Sequence, residues 1–101
     1  MYTEQSIRNL KPIGSVIKLK NADKLVMVIG VCQRDITVAE KEYDYTGVMY
    51  PEGNIGAGSQ FFFNEDDIDC VVYEGYRNEQ WEQLIGNIVT YYGKKALADS
   101  P

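Results

Sequence analysis

The chain has 101 residues, which suits one domain with one hydrophobic core. It is 45% hydrophobic and 25% charged, and 10 basic against 15 acidic residues give a formal charge of -5. A fold that tracks phosphates needs a basic field, so nucleic acid is not the expected partner.

Residues 3–10 are expected to open with a short helix, capped by Thr3, with Ile7 and Leu10 facing inward. Lys11-Pro12 ends it, because proline disfavours a helical residue before it. Ile13-Gly14-Ser15 is a turn. Residues 16–20 form a strand with Ile17 and Leu19 toward the core and Lys18 and Lys20 in water. Asn21-Ala22-Asp23-Lys24 is a hairpin loop. Lys11, Lys18, Lys20 and Lys24 make a local basic stretch, which suits a solvated strand and turn surface.

Residues 25–31, LVMVIGV, are apolar on both faces and predict a central strand covered on both sides. Gly30 marks a bulge or a close backbone approach. Residues 33–42 either extend this hairpin or form an exposed loop. Residues 43–50, YDYTGVMY, are aromatic and β-branched, as strands are. Pro51-Glu52-Gly53-Asn54 has turn chemistry, and residues 55–59 prolong the loop. Residues 60–63 are a short aromatic strand. Asn64 caps one helical turn over residues 64–68, and residues 69–74 are the next strand.

The last element has the clearest pattern. Asn78 is an N-cap, Glu79 and Glu82 occupy the first turn, and Trp81, Leu84, Ile85, Ile88, Val89 and Tyr92 form one apolar stripe. A helix over residues 79–92 follows, with Gly93 at its end and Lys94 and Lys95 beside the negative pole. Gly86 costs about 1 kcal/mol against alanine and suggests a close backbone approach. The whole chain is expected to be one α+β domain, with its core in residues 10–93 and a frayed tail over 96–101. Its centre is a small, strongly curved antiparallel sheet, or an SH3-like barrel, of about five strands. The C-terminal amphipathic helix is expected to lie on one open face.

No constellation for catalysis stands out. There is no histidine, which removes the commonest general base and metal ligand. Cys32 and Cys70 are expected to be two buried thiols. A disulfide between them would add a few kcal/mol in an oxidising compartment. Glu65, Asp66, Asp67 and Asp69 lack the alternation, the central glycine and the distant glutamate of a calcium loop. Gly53-Asn54-Ile55-Gly56-Ala57-Gly58 lacks the Gly-Lys-Ser/Thr ending of a phosphate loop. No enzyme activity, metal or cofactor is expected. Residues 1–10 hold no apolar run of signal-peptide length, and no segment approaches the ~20 apolar residues of a membrane span, so a cytoplasmic location is expected.

Eight tyrosines in a chain this short exceed what its core can hold. Tyrosine is enriched at interfaces because it combines contact area with a polar tip. Tyr43, Tyr45, Tyr50 and Tyr76 are the candidates for a partner surface, and Tyr91 and Tyr92 for a second one on the helix.

Several short runs carry a resemblance. They are residues 10–16 (LKPIGSV), 24–30 (KLVMVIG), Asp44-Tyr45 with 47–53 (GVMYPEG), Phe63-Asn64 with Asp66-Asp67-Ile68, and 72–76 (VYEGY). In this order they resemble a family of small Firmicute proteins of unknown function, encoded near type VII secretion loci and LXG-type toxin genes. Lys11 between Leu10 and Pro12 and the polar stretch 33–42 depart from the family pattern. The resemblance implies an accessory protein that binds a secreted toxin's targeting region or helps deliver it. An immunity protein that neutralises a toxin domain is the alternative, and the acidic balance suits a basic toxin. Self-association stays open. The family supplies no catalytic residues to carry over.

Overall fold

The computed structural model describes residues 2–35 and 41–98. Its elements, in chain order, are α1 (Glu4–Arg8), β1 (Val16–Leu19), β2 (Leu25–Asp35), β3 (Lys41–Tyr50), β4 (Gln60–Phe63), a 3-10 turn (Glu65–Asp67), β5 (Ile68–Tyr73) and α2 (Glu79–Ala98). They fall into two units: a sheet unit, Lys11–Tyr76, and a helical unit made of the residues up to Leu10 and those from Arg77 onward.

The sheet is antiparallel, five-stranded and open, in the order β4-β3-β2-β1-β5. Strands β1 to β4 form a meander, and β5 returns to pair with β1 at the far edge. Closure into a barrel is not realised, because β4 and β5 lie at opposite edges. The apolar run 25–31 is central, as its composition implies. Beyond it, β2 continues to Asp35 and pairs with β3 up to Asp35↔Lys41. The register skips between Val28 and Gly30, so the glycine marks a bulge. The polar stretch 33–42 thus extends the hairpin at both ends, and its residues 36–40 lie outside the described part.

Pairing in register puts Ile17 opposite Val26. Both are buried, with Val28, Tyr45, Val48 and Phe63. Each such apolar side chain contributes about 1.5–3 kcal/mol relative to exposure. Gly47 lies within this packing. A Cβ there would fall 2.7 Å from the Phe63 ring and 2.7 Å from a Val26 methyl. Both are side-chain contacts that yield only by repacking the core. Gly47→Ala is therefore expected to cost about 1–3 kcal/mol, the range for overpacking. Urea unfolding checks it, and an unchanged midpoint would show that the core gives way freely.

In the helical unit, Thr3 caps α1 reciprocally with Ser6: Ser6 N–H donates to Thr3 Oγ1 at 3.0 Å, and Thr3 N–H to Ser6 Oγ at 2.9 Å. Ile7 and Leu10 are buried, as expected. Asn78 caps α2, its Oδ1 accepting from Trp81 N–H at 3.0 Å. Trp81 and Ile85 are the buried positions of the apolar stripe. The helix does not stop at Gly93 but runs to Ala98, so residues 96–98 of the supposed tail are helical. One glycine lowers helix propensity without breaking the ladder. The surrounding turn is held by Tyr92, which meets Tyr2 edge-on at 4.8 Å and lies under Lys95 Nζ at 6.0 Å. Gly86 permits no close approach: among the described residues, nothing lies within 4 Å of where its Cβ would be.

Candidate functional site: an apolar depression beside an edge strand

Because side chains alternate along a strand, the neighbours of the buried residues face the other side of the sheet. Val16 pairs with Met27 on one flank and with Tyr73 on the other, and Leu25 pairs with Tyr50. These side chains, with Gly14 and Val72, line an apolar depression of about 460 Å³. Its rim is open: Tyr50 is 47% exposed, Val72 55% and Tyr73 63%. The expected cover over both faces of β2 is thus half present. Val26 and Val28 are buried, while Leu25 and Met27 are only partly covered. Continuous exposed apolar surface of this kind makes the depression the candidate site of the sheet unit.

Charge is arranged around the depression. Lys24 Nζ meets Glu52 Oε1 at 2.8 Å between the β1–β2 and β3–β4 loops. That hydrogen bond holds the Glu52 carboxyl below its ordinary range. Lys18 Nζ meets Asp69 Oδ2 at 3.2 Å across β1 and β5. Residues 64–76, which contain β5, carry Glu65, Asp66, Asp67, Asp69 and Glu74 and no basic side chain.

The proposed tyrosines separate. Tyr50 lies on the rim of the depression, and Tyr76 is 78% exposed beyond the end of β5. Tyr43 is half-buried, stacked on Phe62 at 5.1 Å with Lys41 Nζ 5.2 Å from its ring centroid. Tyr91 and Tyr92 belong to the helical unit, Tyr91 exposed and Tyr92 half-buried between Tyr2 and Tyr91. Tyr45 leaves the set of surface residues, because its side chain is fully buried. Its hydroxyl accepts from Lys11 N–H at 2.9 Å and donates to Glu65 Oε1. Lys11 Nζ reaches Glu65 Oε2 at 3.0 Å. Burial, and then the hydrogen bond to Glu65, push the Tyr45 phenol above its ordinary range. From there Glu65 N–H donates to Asp44 Oδ2 at 2.8 Å, Asp44 N–H to Asn64 Oδ1 at 3.0 Å, and Asn64 N–H to Asp67 Oδ2 at 2.8 Å. The acidic turn is thereby tied to β3 and serves as a fold element.

Tyr73 was not among the expected interface residues, although it is the most exposed aromatic of the depression. Its position follows from β5 being an edge strand, which sequence alone does not state. Cys70 is likewise exposed on β5 and Cys32 half-buried, so the expectation of two buried thiols is corrected; no disulfide joins them. Cys32 sits with φ at +51° inside β2, a conformation that turns it away from regular strand geometry. The glycine-rich loop is held by its own polar groups, Ser59 Oγ donating to Asn54 Oδ1 at 2.8 Å. Among the described residues, no three His, Cys, Asp or Glu side chains group as metal ligands, and no helix is long and apolar enough to cross a membrane.

An open five-stranded antiparallel sheet followed by a C-terminal helix, with apolar side chains exposed at one edge, places the chain in the α+β class. The chain belongs to the family described as domain of unknown function DUF4176, whose model matches residues 10–84. That span covers the whole sheet unit and the start of α2. No curated protein and no solved structure matches it.

Proposed function

We propose that this protein is a non-catalytic, cytoplasmic adaptor that grips another protein through the depression formed by Val16, Leu25, Met27, Tyr50, Val72 and Tyr73. The observation that carries this reading is the exposure of Tyr50, Val72 and Tyr73 around an apolar floor. Half-exposed aromatics around a desolvated centre are the usual makings of interface hot spots. The resemblance to proteins encoded beside LXG-type toxin genes supplies the partner: the targeting region at the N-terminus of such a toxin, which the adaptor would accompany to a type VII secretion system.

Affinity capture with the tagged chain from its native host, read by mass spectrometry, is expected to recover that toxin region. The paired change Tyr50→Ala and Tyr73→Ala is expected to reduce recovery about thirtyfold, from a loss of about 2 kcal/mol at a hot spot. Recovery of the toxin by both proteins alike would move the interface elsewhere, and no toxin in either eluate would end the adaptor reading. A second reading rests on the acidic run 64–76, which would suit a basic toxin domain in an immunity complex. Rescue of cells expressing the toxin's C-terminal domain would favour it.

A further inference from the structure

Three features of β5 point to how the partner is held. It is an edge strand, with β1 alongside it and no described strand beyond. Val71, Val72 and Tyr73 are exposed, so an apolar surface runs from the depression out to the open edge. Carboxylates bracket the strand, with Asp66, Asp67 and Asp69 before its centre and Glu74 directly after it. Natural sheets protect such an edge with charged side chains, lysine above all, with prolines, with bulges or with a covering element; here β5 has Asp69 and two register shifts against β1. Residues 64–76 contain neither lysine nor proline.

Resting on the adaptor reading, we propose that β5 is the pairing edge for an extended segment of the partner, with apolar alternate side chains and Lys or Arg at its ends. The added strand hydrogen-bonds to the β5 backbone and places every second side chain on the side of Val72, Tyr73 and the depression. Charge selects the occupant. A second copy of this chain, paired antiparallel about the middle of β5, would bring Asp66 and Asp67 of each copy near Glu74 of the other, Asp69 being already met by Lys18, and like charges brought together destabilise the pair. A segment with basic ends reverses the sign at both places, and steers its own approach.

The test uses the full chain and a fluorescent synthetic peptide, an alternating valine–threonine octamer with two lysines at each end. Saturable binding is expected, weakening as salt rises. The same octamer with glutamates in place of the lysines is expected to bind at least about tenfold more weakly. N-methylation of alternate peptide amides removes the donors of one strand edge while keeping side chains and charge. One alternate set is expected to abolish binding and the other to leave it within about threefold. Val72→Lys, a surface change compatible with the β1–β5 ladder, is expected to weaken binding about tenfold, and Val71→Lys serves if that variant folds poorly. Equal binding by both N-methylated peptides, or by lysine- and glutamate-flanked peptides, overturns the proposal. So does absence of saturable binding by the lysine-flanked octamer. Sedimentation showing a dimer lost in Val72→Lys would assign the edge to self-pairing and overturn it too. Toxin capture that persists after such a result leaves the adaptor reading standing with a different docking mode, whereas peptide binding without toxin capture separates the edge from the toxin.

Discussion

Gly75→Ala is expected to be the most damaging single-atom-group change in the sheet unit, lowering stability by about 3 kcal/mol or more. Gly75 is buried against the turn that leads into β1. A Cβ on it would lie 2.3 Å from the Ile13 carbonyl oxygen and 2.9 Å from Ser15 N. Those are backbone atoms, so no side-chain rotation relieves the clash. The turn itself is fixed: Gly14 N–H donates to the Val28 carbonyl and Val28 N–H to the Ser15 carbonyl, each at 2.8 Å. Gly75 N–H in turn donates to Ser15 Oγ at 2.9 Å, inside the protein. Relief therefore requires moving either the exit of β5 or the entry of β1, and both belong to the same ladder. For a domain of this size, Tm should fall by roughly 12–20 °C. Gly86→Ala is the matched control, since no atom of the described residues outside its own helix backbone lies within 4 Å of the new methyl, and alanine favours the helix. It should raise stability by about 0.5–1 kcal/mol. A Gly75→Ala protein melting with the wild type would show that the close approach is not present in solution.

The second large effect is expected at Tyr45. Tyr45→Phe keeps the ring but leaves Lys11 N–H without the hydroxyl that accepts from it and Glu65 Oε1 without the hydroxyl that donates to it, while Glu65 Oε2 keeps Lys11 Nζ. The expected cost is about 1–3 kcal/mol at neutral pH. The sign of the pH dependence follows from the raised phenol. In the unfolded chain the group ionises near pH 10, while in the folded chain it stays neutral to higher pH. Its stabilisation is complete below pH 10 and is lost as pH rises above that value, by at most about 1.4 kcal/mol per pH unit. The urea midpoints of the two proteins should thus differ by a constant amount up to about pH 9 and converge toward pH 11. The other tyrosines are common to both proteins and cancel in this difference. A gap that stays constant through pH 11 would mean that Tyr45 ionises as readily in the folded protein as in the unfolded chain.

Much of the architecture was legible because it rests on local rules. Thr3 and Asn78 cap their helices as short polar side chains do, and the bulge at Gly30 sits where an interrupted apolar run placed it. The apolar stripe of α2 puts Trp81 and Ile85 on its buried side. Gly93 reads as a stop in the sequence, yet one glycine lowers helix propensity without ending the helix, which runs on to Ala98. The candidate site was legible only in part. Tyrosine suits a core and a surface equally, and which one it meets depends on strand order and on two register shifts along β5. Tyr45 is therefore sealed by Lys11 and Glu65, while Tyr73, which the sequence does not single out, is left on an edge. The doubly apolar face of β2 was visible from the start. Its composition does not say whether its cover comes from the same chain or from another one.

The return of β5 to β1 also bears on biosynthesis. Val16 and Ile17 find Met27 and Val26 almost as soon as they are made, but their other neighbours, Tyr73 and Val71, are translated only after β2, β3 and β4. Until then the nascent meander leaves the ribosome with the outer rim of its first strand unsatisfied, a template for misassociation with neighbouring chains. Completion of the sheet, and protection of that rim from aggregation, thus wait on β5, which is made after the other four strands.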